Sequence, residues 1–189
     1  MSSCLNITGI INSTAPGIIW DIGCNTGEYA KCALEAGAES VVGFDFDQGA
    51  LDFAFSRARS ARLNFLPLFL DATNPVPSQG WAQRERPGLM QRANADGIIA
   101  LALVHHLSIG NNIPLSWIVD WLISMAPQGV IEFVPKTDPK VQDLLRLRKD
   151  IFKDYSDITF KHALENKAEI IRTETISTSG RQLFWFRRY

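Results

Sequence analysis

The segment Gly17–Ala30, GIIWDIGCNTGEYA, decides how the chain is read. Ile18, Ile19 and Trp20 form a short apolar run that meets an acid, Asp21. Gly23 and Gly27 then frame a Cys24-Asn25-Thr26 bend, and the spacing beyond it is helical, with Tyr29, Cys32, Ala33 and Ala36 on one face and Gly37 closing the helix. Such an order predicts a buried parallel strand, a tight turn and a crossover helix.

Outward from this segment the same alternation continues. SVVGFD is a second strand ending in Asp45, and QGALDFAFSRARSA supplies a helix with Leu51, Ala54, Phe55 and Ala58 facing inward. NFLPLFLD is a third strand ending in Asp71, with Pro67 suiting either a sheet edge or an irregular start. ATNPVPSQGWAQRERPGLMQRAN reads as an exposed loop with one short helix. DGIIALAL is the fourth strand and runs into VHHLSIGNN. Pro114 opens LSWIVDWLISM, which places Trp117, Trp121 and Met125 at core spacing. VIEFVP is the fifth strand, after which Asp138 as N-cap and Pro139 open KVQDLLRLRKDIF. AEIIRTETIS and RQLFWFRRY, joined by Thr-Ser-Gly, form a hairpin. The pattern predicts an α/β fold: a Rossmann-like, doubly wound, mostly parallel sheet of about seven strands with a C-terminal antiparallel hairpin, in a single domain over 1–189.

Composition agrees with a globular chain. Of 189 residues, 46% are hydrophobic and 21% charged, and the formal net charge of −1 gives no global attraction to polyanions. MSSCLNITG has neither a basic start nor a long apolar run, so a cytoplasmic protein outside the membrane is expected and the Asn6 and Asn12 sequons carry no meaning. Cys4, Cys24 and Cys32 are odd in number and ungrouped, which predicts reduced thiols and no structural zinc.

In sheets of this kind ligands bind beyond the carboxyl ends of the strands, beside the first strand. The turn there is not a dinucleotide fingerprint, because Asn25 and Glu28 stand where G-x-G-x-x-G needs glycine, and the chain has no P-loop. Asp21 would repel a pyrophosphate but suits a cation. S-adenosylmethionine offers an ammonium and a sulfonium, and its carboxylate could approach free N–H groups at a helix start near Thr26. Asp45, about twenty residues beyond the turn, stands where a carboxylate accepts from ribose hydroxyls. Asp71, the third acid at the same rim, could accept from an adenine amino group. His105 and His106 follow the fourth strand, and either could take a proton from an acceptor, although alignment alone can supply much of a methyl transfer.

DIGCNTG, GFDFD, FLDAT, ADGIIALALVHHL and MAPQGVIEFVP stand in the order and spacing of class I S-adenosylmethionine-dependent methyltransferases, which the chain resembles over about residues 17–189. Within them, VHHLSIGNNIPL and EFVPKTDP look like a bacterial group related to nodulation host-specificity methyltransferases. The resemblance implies that Asp21, Gly23, Cys24, Asn25 and Thr26 form the methionine-binding turn, that Asp45 and Phe46 contact ribose and adenine, that Asp71 and Ala72 meet the adenine edge, and that Leu101 passes under the cofactor. Asn25 stands where many relatives carry a middle glycine. A small-molecule acceptor is expected. The alternatives are an RNA methyltransferase, for which WAQRERPGLMQR and FRRY supply local cations, and a catalytically silent cofactor-binding domain. The chain begins shortly before strand one, where relatives have helices covering the acceptor, so a partner chain or a longer parent protein is a further expectation.

Overall fold

The computed structural model describes residues 17–189; Cys4, Asn6 and Asn12 lie outside them. Among the described residues seven strands form one sheet: β1 (Ile18–Ile22), β2 (Ser40–Asp45), β3 (Phe65–Phe69), β4 (Gly97–Ala100), β5 (Gln128–Phe133), β6 (Ala168–Thr175) and β7 (Gln182–Arg188). Their spatial order is β3-β2-β1-β4-β5-β7-β6. The first five pair in parallel, and β7 runs antiparallel between β5 and β6. Pro67 sits on β3, the edge strand, where its missing N–H costs no ladder bond on the outer side. The order reverses at β1 and β4, so the cleft of a doubly wound sheet opens beside the glycine turn.

Helices α1 (Glu28–Glu35), α2 (Gln48–Ser60), α3 (Leu115–Met125), α4 (Pro139–Leu145) and α5 (Asp157–Glu165) cover the sheet. Ala30 and Ala33 of α1 and Ala54 and Ala58 of α2 pack with Ile19, Val41 and Ile99 on one face. On the other, Ile118 and Leu122 of α3 and Phe160 and Leu164 of α5 pack with Trp20, Ile22, Ile98 and Ile131. Period-two alternation along β1 assigns Trp20 and Ile22 to one layer and Ile19 and Asp21 to the other.

Several local readings need correction. The inward stripe of α2 is Ala50, Ala54 and Ala58, while Phe55 is more than half exposed, because small residues at i and i+4 let the helix sit closer to the sheet than a Phe would. Trp117 is 67% exposed, since α3 buries Ile118, Val119, Leu122, Ile123 and Met125 instead. The loop after β3 holds two short 3-10 turns, Trp81–Gln83 and Met90–Arg92, rather than one helix. The helix capped by Asp138 stops at Leu145. Beyond it lies α5, which periodicity reading missed although Ser156 caps it by accepting from the Thr159 N–H and Phe160 and Leu164 are spaced to bury together. Cys24 is a free buried thiol, as expected of a reduced cysteine.

Candidate functional site

The turn after β1 is built by its own backbone. Gly23 and Cys24 donate their N–H groups to the Phe44 carbonyl at 2.7 and 3.0 Å, Asn25 donates to Asp45 Oδ2 at 2.8 Å, and Gly27 donates to the Cys24 carbonyl at 2.8 Å. Gly23, Asn25 and Gly27 all have positive φ, at 85°, 47° and 78°. Asn25 tolerates this region better than most residues with a Cβ, which is why it can replace a middle glycine. Its Oδ1 accepts the Thr26 N–H at 2.8 Å.

These bonds correct one expectation. The helix does begin near Thr26, at Glu28, but the Thr26 N–H is not free, being already taken by the Asn25 side chain. From Gly23 to Gly27 every N–H has a protein acceptor, so a ligand carboxylate could use those groups only by displacing one.

Asp45, at the tip of β2, closes over the turn. Its Oδ2 accepts from Asn25 and its Oδ1 from the Asp47 N–H at 3.0 Å. Next to it Phe46 is 72% exposed. Asp71 lies two residues beyond β3, and its Oδ1 accepts from both the Thr73 N–H at 2.8 Å and the Thr73 hydroxyl at 2.6 Å. These bonds hold its pKa below the usual carboxylate value. A cavity of about 70 Å³ lies among Ile22, Phe46, Asp71, Ala72, Leu103 and His106. Ligand pockets of drug size run to roughly 300–1,000 Å³, so this enclosed space accommodates only part of a nucleoside and the remainder would lie along the open rim.

Asp21 does not reach that cavity. It is 1% exposed and lies on the opposite face of β1 from Ile22, beneath the turn and the first turn of α1. Its Oδ2 has no hydrogen-bond partner. Burial, and then the charge of Asp45, push its pKa up to about 7, against a smaller opposing effect of the Ala30 N–H. A carboxylate so placed calls for a proton or a nearby cation. Cys24 fills the space beside Gly43, where an added Cβ would come within 2.8 Å of its Sγ. Its thiol is pushed well up by burial and then by Asp21 and Asp45, so Cys24 is a packing residue and only its backbone shapes the turn.

The Asp21 shift has a measurable consequence. Between about pH 4 and about pH 7 the folded protein binds a proton that the unfolded chain has released, so stability falls as pH rises through that window. A shift from 3.8 to about 7 corresponds to on the order of 4 kcal/mol. Asp21→Asn is therefore expected to gain stability over wild type progressively from pH 4 to pH 8 in urea unfolding. His105 slopes the other way below pH 6.5, but it is common to both proteins and cancels in the difference. A constant gap across that range would refute the assignment.

After β4 the chain bends sharply. Ala102 has φ 51°, and a π-helical turn, His106–Gly110, follows, a deviation often found at functional sites. The structure separates the two histidines. His105 is 1% exposed, its Nδ1 has no partner, and burial followed by the neighbouring His106 and Arg181 charges push its pKa down to about 3. His106, with its ring 4.2 Å from that of His105, lines the cavity, and burial and Lys140 also lower its pKa. Leu101 is buried under the turn, its carbonyl 3.8 Å from a Cβ built on Gly23, while Leu103 forms the cavity wall.

Sequence reading passed over a buried polar network behind this bend. Glu132 Oε2 accepts the Ala102 N–H at 2.7 Å, and Oε1 lies 3.3 Å from Arg181 Nη1. Arg181 in turn grips Asp138 with Nε to Oδ2 at 2.7 Å and Nη2 to Oδ1 at 2.9 Å, holding the Asp138 pKa far below its ordinary value. A lone acid inside the apolar run VIEFV was the available signal. Among the described residues no group of three or more His, Cys, Asp or Glu could hold a metal ion, and no helix is long and apolar enough to cross a membrane.

No protein-family model matches the chain. It is 51% identical over 173 residues to the nodulation protein NoeA of Rhizobium meliloti (strain 1021), a match that covers 92% of this chain but 36% of that protein, so the chain spans about a third of that relative's length. Among solved structures it is similar to magnesium protoporphyrin IX methyltransferase (ChlM) from Synechocystis PCC 6803 with bound SAH, at TM-score 0.69 and 19% identity, over 100% of this chain and 83% of that one. It is also similar to the N-methyltransferase NodS from Bradyrhizobium japonicum WM9, at TM-score 0.67 and 13% identity, over 99% and 93%. With its strands in the order β3-β2-β1-β4-β5-β7-β6 and these likenesses, the chain has the fold of the class I S-adenosylmethionine-dependent methyltransferases.

Proposed function

We propose that the chain is a methyltransferase domain that binds S-adenosylmethionine across the turn Gly23–Gly27 and passes its methyl group to a small-molecule acceptor. The observation that carries this reading is the bond from the Asn25 N–H to Asp45 Oδ2, which brings the tip of the second strand against the glycine turn beside an exposed aromatic, Phe46, and the cavity that ends at Asp71. Residues present fit the cofactor in kind. Asp45 offers carboxylate lone pairs to a diol, and Phe46 and Ala72 offer apolar surface to a base, while Asp21, sealed beneath the turn, acts on the site only through its charge.

The bound cofactor would supply an electrophilic methyl on a sulfonium. The chain's own part is then to align and to exclude water. Leu103 and Leu107 close the wall beside the β4 exit, and His106 is the imidazole placed to hold or accept an acceptor proton. His105, buried and held neutral, supports that turn from beneath. The formal net charge of −1, which gives no global attraction to a polyanion, supports a small-molecule acceptor here over RNA.

Titration calorimetry of the folded protein with S-adenosylhomocysteine tests the reading. Binding in the micromolar range is expected. Absence of binding by folded wild-type protein would remove the proposal. Single-stranded RNA bound more tightly than S-adenosylhomocysteine, with a steep salt dependence, would favour the RNA reading instead.

A further inference from the structure

We propose that Glu132 is a positioning residue: by accepting the Ala102 N–H while Arg181 holds its other oxygen, it fixes the left-handed bend that delivers Leu103 and His106 to the cavity wall. The inference rests on reading that cavity as part of the cofactor cleft. Ala102 has φ 51°, a conformation an alanine adopts only when its surroundings impose it. The imposing contact is the hydrogen bond from its N–H to Glu132 Oε2 at 2.7 Å. This bend carries Leu101, whose carbonyl faces Gly23, and Leu103, whose side chain faces both Gly23 and the cavity. A slip at Ala102 would therefore move two walls of the cleft at once.

The cost of the arrangement argues against a purely stabilising role. Glu132 is buried in β5, and desolvation pushes its pKa up against the opposing pull of the Ala102 N–H and Arg181. Buried ion pairs of this kind are commonly no more stable than apolar residues of the same volume. What the pair adds is a fixed acceptor, anchored through Arg181 to Asp138, which accepts in turn from the Ser179 hydroxyl at 2.6 Å and from the Lys140 N–H at the cap of α4. The exit of β4 is thus tied to the start of α4 and the start of β7 through one guanidinium.

The experiment compares wild type, Glu132→Gln, Glu132→Leu and Glu132→Leu/Ala102→Gly by hydrogen exchange over residues 101–107 and by calorimetry with S-adenosylhomocysteine. Glu132→Gln keeps an acceptor and is expected to stay within about threefold of wild type in both readouts. Glu132→Leu is expected to exchange about tenfold faster or more and to bind correspondingly more weakly. Adding Ala102→Gly should restore affinity, because glycine takes positive φ unaided, whereas a merely structural defect would persist. Wild-type exchange and affinity in Glu132→Leu, or loss that Ala102→Gly leaves unrepaired, would overturn the inference. Should Glu132→Leu fail to fold, recovery of folding by Ala102→Gly supports it and continued failure overturns it. If wild type itself binds no S-adenosylhomocysteine, the cofactor reading falls, while the exchange data still decide whether Glu132 holds the bend.

Discussion

Asp45→Ala is expected to weaken S-adenosylhomocysteine binding by about 100-fold or more, because one carboxylate serves two purposes. It would accept from ligand hydroxyls, and it already accepts from the N–H groups of Asn25 and Asp47 at 2.8 and 3.0 Å. Removing it strips the turn of its outside anchor as well as the ligand of its acceptor. Asp45→Asn separates the purposes, since the amide oxygen can keep one backbone bond while the charge is lost. An intermediate affinity for Asn and near-complete loss for Ala, with both proteins folded by circular dichroism, is the expected pattern. Unchanged affinity in folded Asp45→Ala would show that the ligand does not lie here. Burial does most to raise Asp21, and the same substitution removes the smaller contribution of the Asp45 charge, so the fall in stability between about pH 4 and about pH 7 should become somewhat shallower in this variant.

Gly27→Ala should be the most destabilising single methyl that can be added to the turn. Two penalties combine there: φ is 78°, and the new Cβ would overlap the Phe65 ring. Left-handed alanine costs about 1–2 kcal/mol and overpacking typically about 1–3 kcal/mol, a large share of the roughly 5–15 kcal/mol available to a domain. A fall in Tm on the order of 10 °C is expected for a chain of this length. Gly23→Ala is the control. Its φ is 85°, yet the nearest atoms to its Cβ are 3.8 Å away, so it should bear only the backbone penalty. Gly27→Ala combined with Phe65→Leu should recover the packing part alone. Equal Tm values for Gly27→Ala and Gly23→Ala in thermal denaturation would show that Phe65 yields without cost.

Both predictions come from residues visible in the string GIIWDIGCNTGEYA and its echo GFDFD, and the physics explains why these were legible. Strand, turn and helix there are local: alternation, glycine and the acid at a strand tip are decided within a few residues of each other. The hairpin AEIIRTETIS–RQLFWFRRY was legible for the same reason, and so was the edge place of Pro67, since an imino acid tolerates few others. What was not legible is long-range. That β7 enters between β5 and β6 depends on which open edge its apolar residues can cover.

The sequence by itself determined the alternating α/β order, the glycine turn and the acid at the tip of β2, because each is written in short-range periodicity and backbone preference. Tertiary structure alone decided that Asp21 faces away from the cavity while Ile22 faces into it, that His105 is sealed while His106 lines the wall, and that Glu132, Arg181 and Asp138 meet behind the β4 exit. The reason is the same in all three cases. Which side of a strand or turn a side chain takes depends on register and on partners dozens of residues away, and those are fixed only when the layers pack.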